Sequence, residues 1–251
     1  MPHFFTMMIF KDNVLKCVRK REKEEKIVFT NFSVYISQIM KYPRTYHFNF
    51  SPGATNDDRI SDSMSNLIGQ EIVITEKLDG ENTGMTSGGV YARSHAAYTT
   101  SPWSREVRQI HNRIKFDIPE DVLIFGENME GIHSIDYSNL TSYFYIFGIR
   151  DNNVWVPWND VEDWSYLLDI PTVPILFKGI VNSEKELQTL VEKLSKEESV
   201  IGGSREGIVA RNASLFHNDD FKDNVLKWVR KGHVQTTEHW TKNWKKSKIK
   251  R

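Results

Sequence analysis

From residue 40 onward, short apolar runs alternate with polar stretches containing Gly and Pro, the pattern of strands separated by loops. Seven runs read as strands: EIVITEKLD (71–79), GVYARS (89–94), DVLIFGEN (121–128), SYFYIFGIR (142–150), VPILFKGI (173–180), EGIVARN (206–212) and NVLKWVR (224–230). The alternation in EIVIT predicts a half-buried strand, and a Gly-rich stretch, TGMTSGGV, follows it. Two segments have the helical period. Residues 103–114 place Val107, Ile110 and Ile114 on one face. In SEKELQTLVEKLSKEE, Ser183 and Glu186 form a capping box ahead of an apolar stripe of Leu187, Leu190, Val191 and Leu194. VWVPWNDVEDWSYLLDIP, rich in Trp and Pro, is expected to pack over a sheet edge. Together these elements predict an α+β fold, mainly antiparallel sheets flanked by helices.

The N-terminal segment differs in style. FKDNVLKCVRK at residues 10–20 recurs as FKDNVLKWVRK at 221–231, with no repeat on either side, which suits a duplicated fragment or an early start codon better than a solenoid. The mixed-charge run KREKEEK lies between, and Met40 opens a different style of sequence. Residues 1–39 are therefore expected to be a dispensable extension, 40–240 the core domain and 241–251 a basic tail. That tail, TKNWKKSKIK plus Arg251, sets Trp244 among Lys242, Lys245, Lys246, Lys248 and Lys250, and it reads either as a solvated end or as a phosphate-backbone contact.

With 251 residues, 39% hydrophobic, the chain can bury a sizeable core, which excludes a disordered protein. Its formal net charge of +0 leaves no global pull toward nucleic acid or an anionic membrane, so any basic surface is local. One cysteine, Cys17, excludes an internal disulfide and argues against a Cys-based zinc site. FFTMMIF is too short to span a bilayer and lacks a basic leader region, so the expectation is a soluble cytoplasmic protein.

The candidate chemistry sits at strand ends. Lys77 ends an apolar run just before Asp79-Gly80, Arg93 ends GVYARS, Glu127 lies in DVLIFGENMEG, Glu206 precedes GIVAR, and Lys227, Arg230 and Lys231 follow one another in NVLKWVRK. Lys77 can serve as a nucleophile, a phosphate clamp or half of an ion pair. A nucleophilic lysine needs a lowered pKa, which neighbouring cations such as Lys227 and Arg230 would supply. A phosphoryl-transfer site needs carboxylates for a divalent metal, a role open to Asp79, Glu127 and Glu206, and cations for phosphate oxygens, open to Arg93 and Lys227. His95 reads as a structural histidine near Arg93, and the spacing of His111, His133, His217, His233 and His239 fits no metal motif.

The order of these features resembles the covalent nucleotidyltransferase superfamily, and most closely the ATP-dependent RNA ligases typified by phage T4 RNA ligase 2 and the trypanosome editing ligases. The resemblance spans about residues 42–240 and implies an adenylyltransferase domain of the ligase, ATP-grasp-like type. EKLDGEN resembles the nucleotidyl motif, making Lys77 the residue expected to form lysyl-AMP, Glu76 the position whose backbone reads adenine and Asn82 a contact near the sealing site. ARS resembles the next motif and gives Arg93 the nucleotide or the 5′-phosphate. GENMEG, with Glu127, is similar to the motif that binds the ribose hydroxyls, and YFYIFGIRD points to Phe147 as the residue stacked on adenine. EGIVAR makes Glu206 a ligand of the catalytic metal, with Asp79 as a second, and LKWVRK makes Lys227 the phosphate-contacting lysine. Two positions depart from the pattern. Gly148 stands where the family often has Asp, and Val229 stands at the second lysine of the last motif, leaving Arg230 or Lys231 to substitute. The implied cofactors are ATP and Mg²⁺ or Mn²⁺, and the implied substrate is RNA with 5′-phosphate and 3′-hydroxyl ends. The short stretch after Lys227 implies a partner protein in place of the C-terminal domain of many relatives. A DNA ligase, a GTP-using capping enzyme and a non-catalytic RNA-binding relative are the alternatives.

Overall fold

The computed structural model describes residues 41–93, 97–232 and 240–250. The 1–39 segment, with Cys17 and the first copy of the duplicated stretch, lies outside the described residues, as do His95, His233 and His239.

Two sheets organise the described chain. The first has five strands in the order β1 (Tyr46–His47), β11 (Val225–Val229), β9 (Gly207–Asn212), β2 (Glu71–Lys77) and β8 (Ile175–Ile180). The second has six, in the order β10 (Phe216–His217), β7 (Val154–Trp155), β6 (Phe144–Asp151), β5 (Val122–Asn128), β3 (Glu81–Met85) and β4 (Val90–Ala92). All pairings are antiparallel except β1 with β11. The helices are α1 (Arg105–Ile114), α2 (Trp158–Leu168), α3 (Glu184–Leu194) and the single turn α4 (Phe221–Asn224). This is the α+β, mainly antiparallel architecture that the sequence pattern predicts, and all seven predicted strands are present.

Three differences have physical causes. The interior strand β2 is buried on both faces instead of one: Ile72 and Ile74 pack under α3, while Val73 joins the core around α1 and α2. A strand sandwiched between two layers needs no polar face. The ENTGM segment, absent from the predicted strands, is β3, where Gly84 lies opposite Phe125 and a Cβ would touch that ring at 3.4 Å. The Trp- and Pro-rich segment forms β7 and then α2, which buries Trp158, Val161 and Leu168 and packs against β6. It is therefore core, and Asp169 ends it in the left-handed region at φ 53°.

The predicted capping box is present in shifted form. Ser183 Oγ accepts the Glu186 amide at 3.2 Å, while the Glu186 carboxylate accepts the amide of Asn182, at 2.8 Å, instead of that of Ser183. Beyond it Leu187, Val191 and Leu194 seal one side of the five-stranded sheet, each contributing about 1.5–3 kcal/mol through burial. A third apolar cluster, Leu123, Phe125, Trp155, Phe216, Phe221 and Val225, joins residues of the two sheets and supports the floor of the cleft between them.

Residues 240–250 turn back onto the body. An antiparallel bridge joins Lys246 to Gly131, a parallel bridge joins Ile249 to Leu140, and Ile249 packs on the main core. Among the described residues, no helix is long and apolar enough to cross a membrane.

Candidate active site

The stretch EKLDGEN is where the chain leaves one sheet for the other. Lys77 is the last residue of β2, Leu78 to Gly80 make the crossing, and Glu81 opens β3. The crossing is tightly fixed. A Cβ at Gly80 would lie 2.6 Å from the Asn128 carbonyl oxygen, 2.7 Å from Met129 Sδ and 2.9 Å from Glu127 Cγ, so glycine is required. Asp79 Oδ2 accepts the amides of Ser134 at 2.7 Å and Ile135 at 2.9 Å, and the Asp79 amide donates to the Tyr137 hydroxyl at 3.0 Å.

A cleft of about 670 Å³ opens at this crossing. Lys77, Val209, Arg211 and Lys227 line it from the five-stranded sheet, and Asn82, Glu127, Phe147 and Trp155 from the six-stranded sheet. Glu76, Arg93, Tyr42, Asp58, His133 and Trp240 complete much of its wall. Of the residues predicted from sequence, Lys77, Glu76, Asn82, Arg93, Glu127, Phe147 and Lys227 thus share one cleft. Glu206 joins them through the lysine, whose Nζ donates to its two carboxylate oxygens at 2.7 and 2.6 Å. Asp79 and Arg230 are not among the lining residues. One Asp79 oxygen is committed to the backbone amides above. Arg230 donates its amide to the Glu206 carbonyl at 3.1 Å, and its Nε and Nη2 are buried without a hydrogen-bond partner. Among the described residues, no group of three or more His, Cys, Asp or Glu is already assembled to hold a metal ion.

The electrostatics reverse one expectation. Burial disfavours the charged form of Lys77, but Glu206, Glu127 and Asp79 outweigh it and hold the amine above the ordinary lysine value. The lowered lysine is instead Lys227, pushed down by burial, by the charge of Lys77 and by Arg93. Lys227 Nζ lies 3.6 Å from Asp58, whose carboxyl burial pushes up but whose Thr55 hydrogen bonds, with His47 and Lys227, hold it at about 2. Glu127 is pushed up to about 8 by burial and by repulsion from Glu206 and Asp79, against the attraction of Lys77. At neutral pH the free cleft therefore holds a protonated lysine on one carboxylate beside a largely neutral carboxyl.

Glu76 is only 1% exposed. Its Oε2 accepts the Val200 amide at 3.0 Å and lies 3.8 Å from Arg205 Nε, and its own amide donates to Pro174 at 2.8 Å. Asn82 Oδ1 is buried without a hydrogen-bond partner, an arrangement that suits a ligand donor in the cleft. Phe147 meets the Tyr42 ring edge-on at 5.0 Å. At the departure noted after it, a Cβ on Gly148 would sit 3.1 Å from Trp155 Cζ3 and 3.7 Å from Arg211 Nη1, so the indole and guanidinium occupy the room a side chain would use.

Sequence reasoning missed Tyr42, Trp155, Arg211, Asp58, His133 and Trp240 as cleft residues. Arg211 ends EGIVAR and is the one with a motif to mark it. It is buried against Trp158 and Phe216, and that burial lowers its pKa to about 10.

Two mostly antiparallel sheets flanking a cleft with a lysine at the crossing define a ligase-type nucleotidyltransferase fold, and solved structures agree. A Naegleria gruberi RNA ligase variant without ligand has a TM-score of 0.53 at 16% identity, covering 84% of this chain and 60% of its own. Another Naegleria gruberi RNA ligase variant, with ATP and Mn, has a TM-score of 0.51 at 17% identity, covering 86% and 70%. A candidate ATP-dependent DNA ligase from Aquifex aeolicus has a TM-score of 0.51 at 16% identity, covering 77% and 50%. These likenesses establish the fold, and the chain spans about half to two thirds of the length of these structures. The RNA ligase family model matches residues 70–229, well over half of the chain, and the chain belongs to that family. No curated protein matches it at a significant level.

Proposed function

We propose that the protein is an ATP-dependent RNA ligase whose nucleophile is Lys77. The observation that carries this reading is the two-point contact of Lys77 Nζ with Glu206, at 2.6 and 2.7 Å, inside the cleft where the two sheets meet. A lysine at a strand end with a buried carboxylate on it and a second carboxyl, Glu127, beside it is organised for charge transfer more than for solubility. The family membership and the ATP and Mn in a structural neighbour support ATP and a divalent cation as its partners.

In the proposed reaction Lys77 Nζ, once its extra proton has left, attacks the α-phosphate of ATP. The N–P bond forms as the bond to pyrophosphate breaks. Glu206 is the nearest acceptor for the departing proton. AMP then passes to an RNA 5′-phosphate oxygen, freeing the lysine, and a 3′-hydroxyl attacks the activated phosphate and releases AMP. Each transfer depends on in-line positioning and charge neutralisation more than on a strong base. Phe147 supplies an aromatic face for adenine, Glu127 meets the ribose hydroxyls, Asn82 serves near the sealing site, and Arg93 and Lys227 neutralise phosphate oxygens. Arg230 serves as a phosphate contact in place of the second lysine of the last motif.

The carboxylates of Glu206 and Asp79 suit a hard cation such as Mg²⁺ or Mn²⁺, which takes oxygen ligands and completes its shell with water and phosphate. When bound, such an ion would offset charge on the phosphates. Residues 40–240 would make up the adenylyltransferase domain and 1–39 a dispensable extension, with RNA ends as substrate.

Incubation with α-labelled ATP, and with GTP in parallel, followed by a denaturing gel tests the reading. A pyrophosphate-sensitive label from ATP and sealing of 5′-phosphorylated RNA in preference to DNA are expected. Label from GTP alone would indicate a capping enzyme, and sealing confined to DNA would indicate a DNA ligase.

A further inference from the structure

The basic C-terminal segment opens with a 3-10 turn, Trp240–Asn243, and then runs along the body through isolated bridges at Lys246 and Ile249. Its backbone is anchored at several points: the Ile132 amide donates to Lys245 at 2.9 Å, Ser247 to Glu130 at 2.8 Å, and Lys250 to Leu140 at 2.7 Å. Its side chains are sorted. Trp244 meets Trp103 edge-on at 6.2 Å, Ser247 is buried and Ile249 packs on the core, all inward. Lys246 is pinned, 2.6 Å from Glu106 and 3.8 Å from Glu130, with Tyr143 beneath it. Lys242, Lys245, Lys248 and Lys250 are exposed, and among the described residues none has a carboxylate at ion-pair distance.

The segment starts at the cleft. Trp240 and Thr241 line it, and the Trp240 ring stacks on His133 at 3.8 Å and meets Trp103 at 5.0 Å. Gly131 makes room for this, since a Cβ there would lie 2.8 Å from Trp240 Cζ3. Four unpaired cations therefore follow from the cleft-lining Trp240 and Thr241: Lys242 on the 3-10 turn, then Lys245, Lys248 and Lys250 at roughly 7–10 Å intervals for near-extended chain. In a chain of net charge +0 this concentration is local. Because the backbone is already tied down, a polyanion binding there would not have to order it first.

We propose that residues 240–250 form a fixed rail for the phosphate backbone of the RNA strand whose end enters the cleft, an inference that rests on the ligase reading above. The four lysines make one non-specific phosphate contact each, and Trp240 with His133 offers a stacking surface at the mouth.

The test uses the full-length protein and a variant with Lys242, Lys245, Lys248 and Lys250 all changed to Ala, beside one with all four changed to Arg. Three readouts are needed: covalent labelling with ATP alone, binding of a 5′-phosphorylated single-stranded RNA across a salt series, and binding of anionic phospholipid vesicles. The Ala variant is expected to label like wild type and to bind RNA about tenfold or more weakly at low salt, its log K against log salt slope shallower by up to about 3. The Arg variant is expected to bind like wild type. Wild-type RNA affinity and slope in the Ala variant would overturn the rail, as would an effect confined to vesicles. If wild type takes no label from ATP but the Ala variant still loses RNA binding, the ligase reading fails and the rail stands.

Discussion

The two walls of the cleft are built from different chemistry. The five-stranded sheet brings charge, with Lys77 at the end of β2, Glu206 on it at 2.6 Å and Lys227 on β11. The six-stranded sheet brings aromatic surface, Phe147 and Trp155, with Glu127 and Asn82 as its polar members. Under the proposed function, the first wall carries out transfer while the other holds and orients a flat, partly apolar ligand. The crossing at Leu78 to Gly80 fixes the two walls in register.

The largest expected effect comes from the charged wall. Lys77→Ala should eliminate covalent labelling by ATP, and Lys77→Arg should do the same while preserving a cation for Glu206; a labelled Arg variant would show that the wall supplies charge and not the nucleophile. Next comes the hinge between walls. Gly80→Ala forces a Cβ into the Asn128 carbonyl and Glu127 Cγ, and should cost about 1–3 kcal/mol in urea unfolding together with much of the labelling rate. An unchanged unfolding midpoint would mean that the crossing yields easily.

Glu127 sharpens the comparison from the other wall. Its carboxyl sits at about 8 in the folded protein against 4.5 ordinarily. Between those values the folded state keeps a proton that the unfolded state has released, so this group lowers stability progressively as pH rises through the window. Glu127→Gln removes that dependence: between about pH 5 and about pH 8 the variant should lose less stability than wild type in urea titrations. Equal losses would contradict the neutral carboxyl. The smallest effect belongs outside the cleft, where Ser183→Ala, which deletes the cap of α3, should cost about 1 kcal/mol and leave labelling intact.

The charged wall was legible in the sequence because each of its members lies in or beside a β-run and belongs to a short motif, as in EKLDG, EGIVAR and LKWVRK. Most of the aromatic wall was not. Phe147 carries a motif, but Trp155 and Tyr42 reach the cleft through the sheet order β7-β6-β5 and through packing on Phe125, relations between distant segments that no spacing encodes. The surroundings of Asp79 were equally hidden: its Oδ2 is bound to the Ser134 and Ile135 amides, a long-range contact that no spacing encodes and one that leaves Oδ1 for the proposed metal. The raised Lys77 was also beyond the sequence: Lys227 and Glu206 are both near it, and only the 2.6 Å geometry decides which sign wins. Period-based reading found seven strands but missed the five-residue β3, with its glycine, and the two-residue strands β1, β7 and β10, whose pairing is imposed by their neighbours.

Peptide mass mapping of the protein after incubation with ATP and a divalent cation tests the central claim most directly. The account predicts an AMP adduct on the peptide carrying Lys77 and on no other lysine, removed by pyrophosphate. An adduct on Lys227, or none under conditions in which the protein is folded and binds ATP, would contradict it.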